Sequence, residues 1–218
     1  PCTPQLRAID GVNPLDRGFQ EARGGGVTTV LTGPGSANPI AGQFLAVKTT
    51  GRWVDEMVVK APVAMKFALG ENPKSVYNDR KETPVTRMAT AALIREQLSK
   101  AQEYQDKQAK ADEDPEEEMP DFDAKLEALV PVVQGQLPAH FHAHRADDIA
   151  TAVRISREFG LNQVIVHGTE GYKIADLLAA EGAAVITGPC LTDRSKPELV
   201  GQTCLLYTSD AADDLIGV

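Results

Sequence analysis

The sequence predicts an incomplete (β/α)8 barrel, and three observations carry that expectation. Strand-like and helix-like segments alternate through the second half, the signature of right-handed βαβ units around a parallel sheet. Two short apolar stretches, LPAHFHAHR at 137–145 and VIVHGTEG at 164–171, each meet histidine and run straight into a helix-like segment. Five or six strands can be counted along the 218 residues, short of the eight that close a barrel.

In chain order, LDRGFQEAR after Pro14 reads as a short amphipathic helix that ends in the glycines at 24–26. VTTVLTG at 27–33 is a β-branched strand, and PGSANPIAGQ at 34–43 a turn-rich loop. QFLAVKT at 43–49 and VAMKFALG at 63–70 are the next strands, the latter ended by Gly70 and Pro73. Residues 84–111 carry Met88, Ala92, Arg95, Leu98 and Ala101 at helical spacing, with Pro84 suited to a first helical turn. A shorter helix is expected at 121–133 with Asp121 as its cap. Then come a strand at 138–143, a helix at 147–159, a strand at 163–167, a helix at 171–181 and a last strand at 183–187.

The composition narrows the function classes. A formal charge of −9 without a basic stripe argues against a nucleic-acid partner. The acidic run DEDPEEE at 112–118 reads as a solvated connector. No apolar run approaches the ~20 residues that span a bilayer, so no membrane partner is expected. The start, PCTPQLRAIDG, shows no signal core, and the 3 cysteines (Cys2, Cys190, Cys204) form no zinc or disulfide pattern; a reducing cytoplasm is the expected setting.

His142 and His167 are expected at the C-terminal ends of successive strands, where a barrel mouth brings imidazoles together on one metal ion. Alternation places His140, His142 and His144 on one side of HFHAH, with Phe141 and Ala143 opposite. It likewise sets Ala64, Lys66 and Ala68 against Met65, Phe67 and Leu69, which points Lys66 inward. His144 and Arg145 are candidate substrate contacts; Arg145 can grip a carboxylate or pair with Asp147 or Asp148. In the loop, Asn38 can donate to a substrate carbonyl. Thr169 and Glu170 either orient His167 or cap the helix that follows.

HFHAHRADD, VIVHGTEGYKIADLLAAEGAAVITGP, GVTTVLTGPGSANPIAGQ and MKFALGENPK together resemble the amidohydrolase superfamily, in its imidazolonepropionase-like or prolidase-like branch. The resemblance implies a barrel of the metal-dependent hydrolase type, a divalent cofactor, usually zinc, as one or two ions, and hydrolysis of a C–N bond in a small-molecule substrate. It places the family's two strand-end histidine ligands on His142 and His167. The bridging ligand, often a carboxylated lysine, falls on Lys66 or Glu71. The family's His-x-His pair is expected upstream of Pro1 and its catalytic aspartate beyond Thr203.

CLLYTSDAADD at 204–214 resembles a translated sequencing-library adapter, and the chain lacks an initiator methionine. The expectation is therefore a partial barrel domain over 1–203, a non-native tail over 204–218, and a fragment inactive by itself. Two alternatives stand beside it. One is a non-catalytic partial barrel that associates with its own copies through open strand edges. The other is a metal-free barrel that binds a small molecule.

Overall fold

A computed structural model describes residues 1–188 and 197–199; the expected tail, Cys190 and Cys204 lie outside the described residues. After a 3₁₀ turn at Ala8–Gly11, helix α1 spans Arg17–Gly24. Strands β1 (Thr29–Thr32) and β2 (Ile40–Lys48) follow, then a single turn α2 (Val54–Met57) and strand β3 (Val58–Ala68). Helices α3 (Glu71–Asp79), α4 (Arg87–Glu113) and α5 (Ala124–Val133) precede β4 (Ala139–Ala143). The remainder is α6 (Ala146–Phe159), β5 (Gln163–His167), a 3₁₀ turn at Gly171–Ile174, α7 (Ala175–Ala180) and β6 (Ala184–Thr187).

Among the described residues, six strands join one sheet in chain order, and the fold is an incomplete α/β barrel. β3 to β6 pair in parallel, as the alternating pattern predicts. β1, β2 and β3 pair antiparallel instead. The reason is connection length: only short links join these strands, and a parallel crossover needs a dozen or more residues, usually a helix.

Helix boundaries follow caps more closely than apolar spacing. α4 starts after Thr86, whose Oγ1 accepts from Ala89 N at 3.1 Å, so Pro84 lies outside the helix. Asp123, not Asp121, caps α5 by accepting from Lys125 N at 2.7 Å. The buried stripe of α4 runs through Ala91, Ile94, Leu98 and Ala101, and Met88 is exposed. Helix α3 is absent from the sequence expectation because Pro73 reads as a terminator. It sits in the first turn, where a missing N–H costs nothing. The stretch expected as one helix at 171–181 divides into the 3₁₀ turn and α7.

The main core lies between the sheet and helices α4, α5 and α6. Met65, Phe67, Phe141 and Ile165 from the strands meet Ile94, Leu98, Leu129 and Ile149 from the helices. Phe67 and Phe141 stack with centroids 4.7 Å apart. A smaller cluster of Leu45, Val47 and Met57 packs with Phe19 and Val30 against β2. The opposite face of β3 and β4 thereby carries Lys66, His140 and His142 beside the small side chains of Ala64 and Ala68. Among the described residues, no helix is long and apolar enough to cross a membrane.

Candidate metal centre

The β3–β4 register sets Lys66 opposite His140 and Ala68 opposite His142. Phe67 and Phe141 point into the helix-side core, so Lys66, His140 and His142 occupy the other face, as alternation expects. His144 continues this row just beyond β4. All four are buried.

His167 arrives differently. It pairs with Ala143, whose methyl belongs to the helix-side core, so plain alternation would turn it away from His142. Its φ of 77° is left-handed, and Gly168 after it has φ 55°. This conformation costs a non-glycine residue about 1–3 kcal/mol, and the His167 ring nevertheless lies against the other two. Its centroid stands 4.7 Å from that of His142 and 4.5 Å from that of His144. The rings of His144 and His167 stack within 12°, and His142 meets both edge-on. One ligand-capable atom from each of His142, His144 and His167 lies within 4.8 Å of the others.

Each ring also has a partner outside the cluster. His167 Nδ1 is 2.5 Å from the carbonyl oxygen of Gly188, an acceptor, so that nitrogen carries the proton and Nε2 is the basic one. His144 Nδ1 lies 2.8 Å from Thr169 Oγ1. His142 Nε2 lies 3.1 Å from the terminal Nδ2 position of the Asn72 carboxamide, which is also 2.5 Å from Ser36 Oγ. Neutral imidazoles oriented in this way are the donor set that zinc and similar divalent ions take, so the residues present fit a metal.

The other expected site residues fall into two groups. Thr169 reaches the cluster through His144, and Glu170 serves a helix, though not the one at 171. Its Oε2 accepts from Ala146 N at 2.9 Å at the start of α6. Glu71 opens α3, and its carboxylate is taken up by Lys74 at 2.7 Å and Arg87 at 2.8 Å. Asn38 accepts from Tyr77 OH at 2.7 Å and donates to Thr3 Oγ1 at 2.8 Å, which ties the loop to the N-terminal segment. Arg145 is paired with Asp147 at 2.7 Å. Sequence reasoning missed Asn72 and Ser36; a polar side chain directly after an inward-facing strand, in LGENP, was the available signal.

The floor of the site is electrostatically costly. Burial pushes the Lys66 amine down to about 8, and burial with the Lys66 charge pushes His140 down to about 4. Lys66 Nζ sits 5.7 Å from the centre of the Phe44 ring, and no ion pair to it is found among the described residues. In the unfolded chain this amine titrates near its ordinary value, so between about pH 8 and 10.5 the unfolded state holds more protons and stability rises with pH. Below that window the burial penalty is fully present, at most about 3 kcal/mol. Lys66→Met is therefore expected to stabilise the metal-free protein by about 1–3 kcal/mol at pH 7, with the gain fading toward pH 10.5. Urea unfolding at both pH values measures this; a variant less stable at pH 7 contradicts it.

A partial α/β barrel with imidazoles gathered at the C-terminal ends of its parallel strands has its polar site where barrel enzymes carry theirs. Comparison with known proteins gives that class a family. The chain is 35% identical over 176 residues to "Amidohydrolase tasK" of Hapsidospora irregularis, a match that covers 72% of this chain and 18% of that protein. It matches the crystal structure of an amidohydrolase from Thermotoga maritima MSB8 with a TM-score of 0.93 and 46% identity, over 98% of this chain and 55% of that one. No protein-family model matches. These two relatives support an amidohydrolase-superfamily assignment for the chain. It spans little more than half of the solved relative and under a fifth of the curated one.

Proposed function

We propose that this chain forms the metal-binding part of a hydrolase that cleaves a C–N bond in a small molecule, an amide or cyclic amide, in the imidazolonepropionase-like or prolidase-like branch. The observation that carries the reading is the convergence of His142, His144 and His167 at the strand ends. These residues would hold one or two divalent ions, with zinc the first choice for an all-imidazole set. A bound ion would supply Lewis acidity, polarising the scissile carbonyl and lowering the pKa of water.

The chain's own residues do the rest. Gly188 O, Thr169 and Asn72 hold the rings in place. Phe67 and Phe141 brace the strands from behind. Lys66 is the better choice for a bridging ligand, because Glu71 is committed to Lys74 and Arg87. Burial favours the neutral amine of Lys66, the form that adds carbon dioxide to give a carbamate and one proton. Among the described residues the cluster contains imidazoles and no carboxylate. We therefore expect the 218-residue chain to bind metal and to turn over amides poorly by itself. A cytoplasmic setting, a partial barrel domain over 1–203 and a non-native tail over 204–218 belong to the same reading.

Calorimetric titration with zinc tests it. The wild-type chain is expected to bind zinc, and His142→Ala and His167→Ala each to weaken binding at least about tenfold, as removal of a ligand should. Binding that is absent in the wild type, or indifferent to both substitutions, favours a metal-free small-molecule barrel instead.

A further inference from the structure

The carboxamide of Asn72 is placed with unusual care for a residue in the first turn of a helix. Gly70 enters α3 with φ 81° and ψ −142°, and a Cβ there would lie 2.3 Å from Glu198 Oε1 and 3.0 Å from Asp148 Oδ2. Only glycine is compatible with that backbone and that crowding. The next amide, Glu71 N, donates to Glu198 Oε1 at 2.8 Å. Glu71 itself is gripped by Lys74 and Arg87, and Arg87 also holds buried Asp148 at 3.0 Å. Glu198, Arg87 of α4 and, through Arg87, Asp148 of α6 thus hold the start of α3 just before Asn72, whose side chain faces the imidazole cluster.

One terminal position of that carboxamide meets both Ser36 Oγ, at 2.5 Å, and His142 Nε2, at 3.1 Å. A contact of 2.5 Å to a hydroxyl belongs to the O–H···O range rather than the N–H···O range. The oxygen and nitrogen of a carboxamide exchange places by a half-turn, and the hydrogen-bond network decides between them. His167, with Gly188 O on Nδ1, already shows one ring nitrogen fixed by an oxygen. We propose that Asn72 is a positioning residue for the metal centre, its carboxamide oxygen accepting from His142 Nε2–H and from Ser36 Oγ–H. The ring is thereby locked with Nδ1 as its basic nitrogen. The loop at 33–39 is tied to the same ligand through Ser36. This inference rests on the metal reading above and deepens it, since it names what sets the orientation of one ligand.

The test is zinc affinity of the full chain, read by calorimetry, for Asn72→Leu and Asn72→Asp. Leucine matches the shape and removes the acceptor, so affinity is expected to fall about 10- to 100-fold. Aspartate restores an acceptor and is expected to stay within about threefold of wild type or to bind more tightly, as carboxylate–histidine–metal arrangements do. A purely structural role would not single out the acceptor in this way. Asn72→Leu binding zinc as tightly as wild type overturns the proposal, and so does Asn72→Asp binding as weakly as Asn72→Leu. Where Asn72→Leu does not fold, Asn72→Ala takes its place in the comparison. If the wild type binds no zinc, the metal reading and this inference fall together. If the wild type binds zinc and His167→Ala abolishes it while Asn72→Leu is silent, only this inference falls.

Discussion

Phe141→Ala is expected to lower the stability of the chain by about 3–5 kcal/mol, the range for deleting a fully buried aromatic side chain. Phe141 is 0% exposed at the centre of β4, and its ring stacks on Phe67 of β3 at 4.7 Å. Deletion removes the apolar transfer free energy, the stacking and the surrounding van der Waals contacts together, and the wall of helices α4, α5 and α6 cannot collapse far enough to refill the space. The substitution also reaches the site. Phe141 separates His140 from His142 in sequence and anchors the strand that carries both, so a looser β4 moves a ligand. Equilibrium urea unfolding reads the first effect and zinc calorimetry the second. Phe141→Leu, which keeps most of the volume, is expected to cost less than half as much. A loss below about 1 kcal/mol for alanine would mean that this stack does not anchor the sheet.

Arg87→Ala is expected to cost about 3 kcal/mol near neutral pH, the lower end for removing one partner of a buried ion pair. The lower end applies because the Arg87 side chain is 29% exposed, while that of Asp148 is only 5% exposed. Burial already holds the Asp148 carboxyl above its ordinary value, against the pull of Arg87. Without the guanidinium the shift grows, and the folded variant takes up a proton at higher pH than the unfolded chain does. The deficit is therefore smallest in acid, where Asp148 is protonated in both states, and grows as pH rises through the new folded-state value. Urea unfolding of wild type and Arg87→Ala across pH 4 to 8 measures that slope. Arg87→Lys retains a charge but not the fork that joins Asp148 and Glu71 at once, and is expected to fall between the two. A pH-independent deficit would show that lost packing, not lost charge, explains the effect.

These two expectations locate the stability of the candidate site outside its ligands. Phe67 and Phe141 hold β3 and β4 from the helix side. The Arg87 network holds the start of α3, and with it Asn72, from beyond the strand ends. Loss of either support is expected to appear first as weaker metal affinity and only then as global unfolding.

Much of this protein was legible in the order of its residues. Period-2 alternation is a local property of extended chain, so HFHAH and AMKFA by themselves show which side chains share a face. The alternation of strands with helices in the second half likewise specified parallel pairing, because a parallel crossover is long and right-handed. Cap positions, the antiparallel start of the sheet and helix α3 were less legible, since a proline or a turn-rich loop has the same local appearance at a terminus and at a first turn.

His167 marks the limit of that local reading. Its sequence position gave the strand end, but alternation alone would have turned it from His142; a left-handed φ, held by the pairing of β5 between its neighbours, brings the ring in. Asn72 and Ser36, and likewise Glu71 and Glu198, stand far apart in the chain and meet through packing alone. Sequence by itself determined the types of side chain and the face each strand offers, because backbone geometry repeats over two residues. Tertiary structure alone decided which groups share hydrogen bonds, because that depends on contacts between elements that no local periodicity encodes.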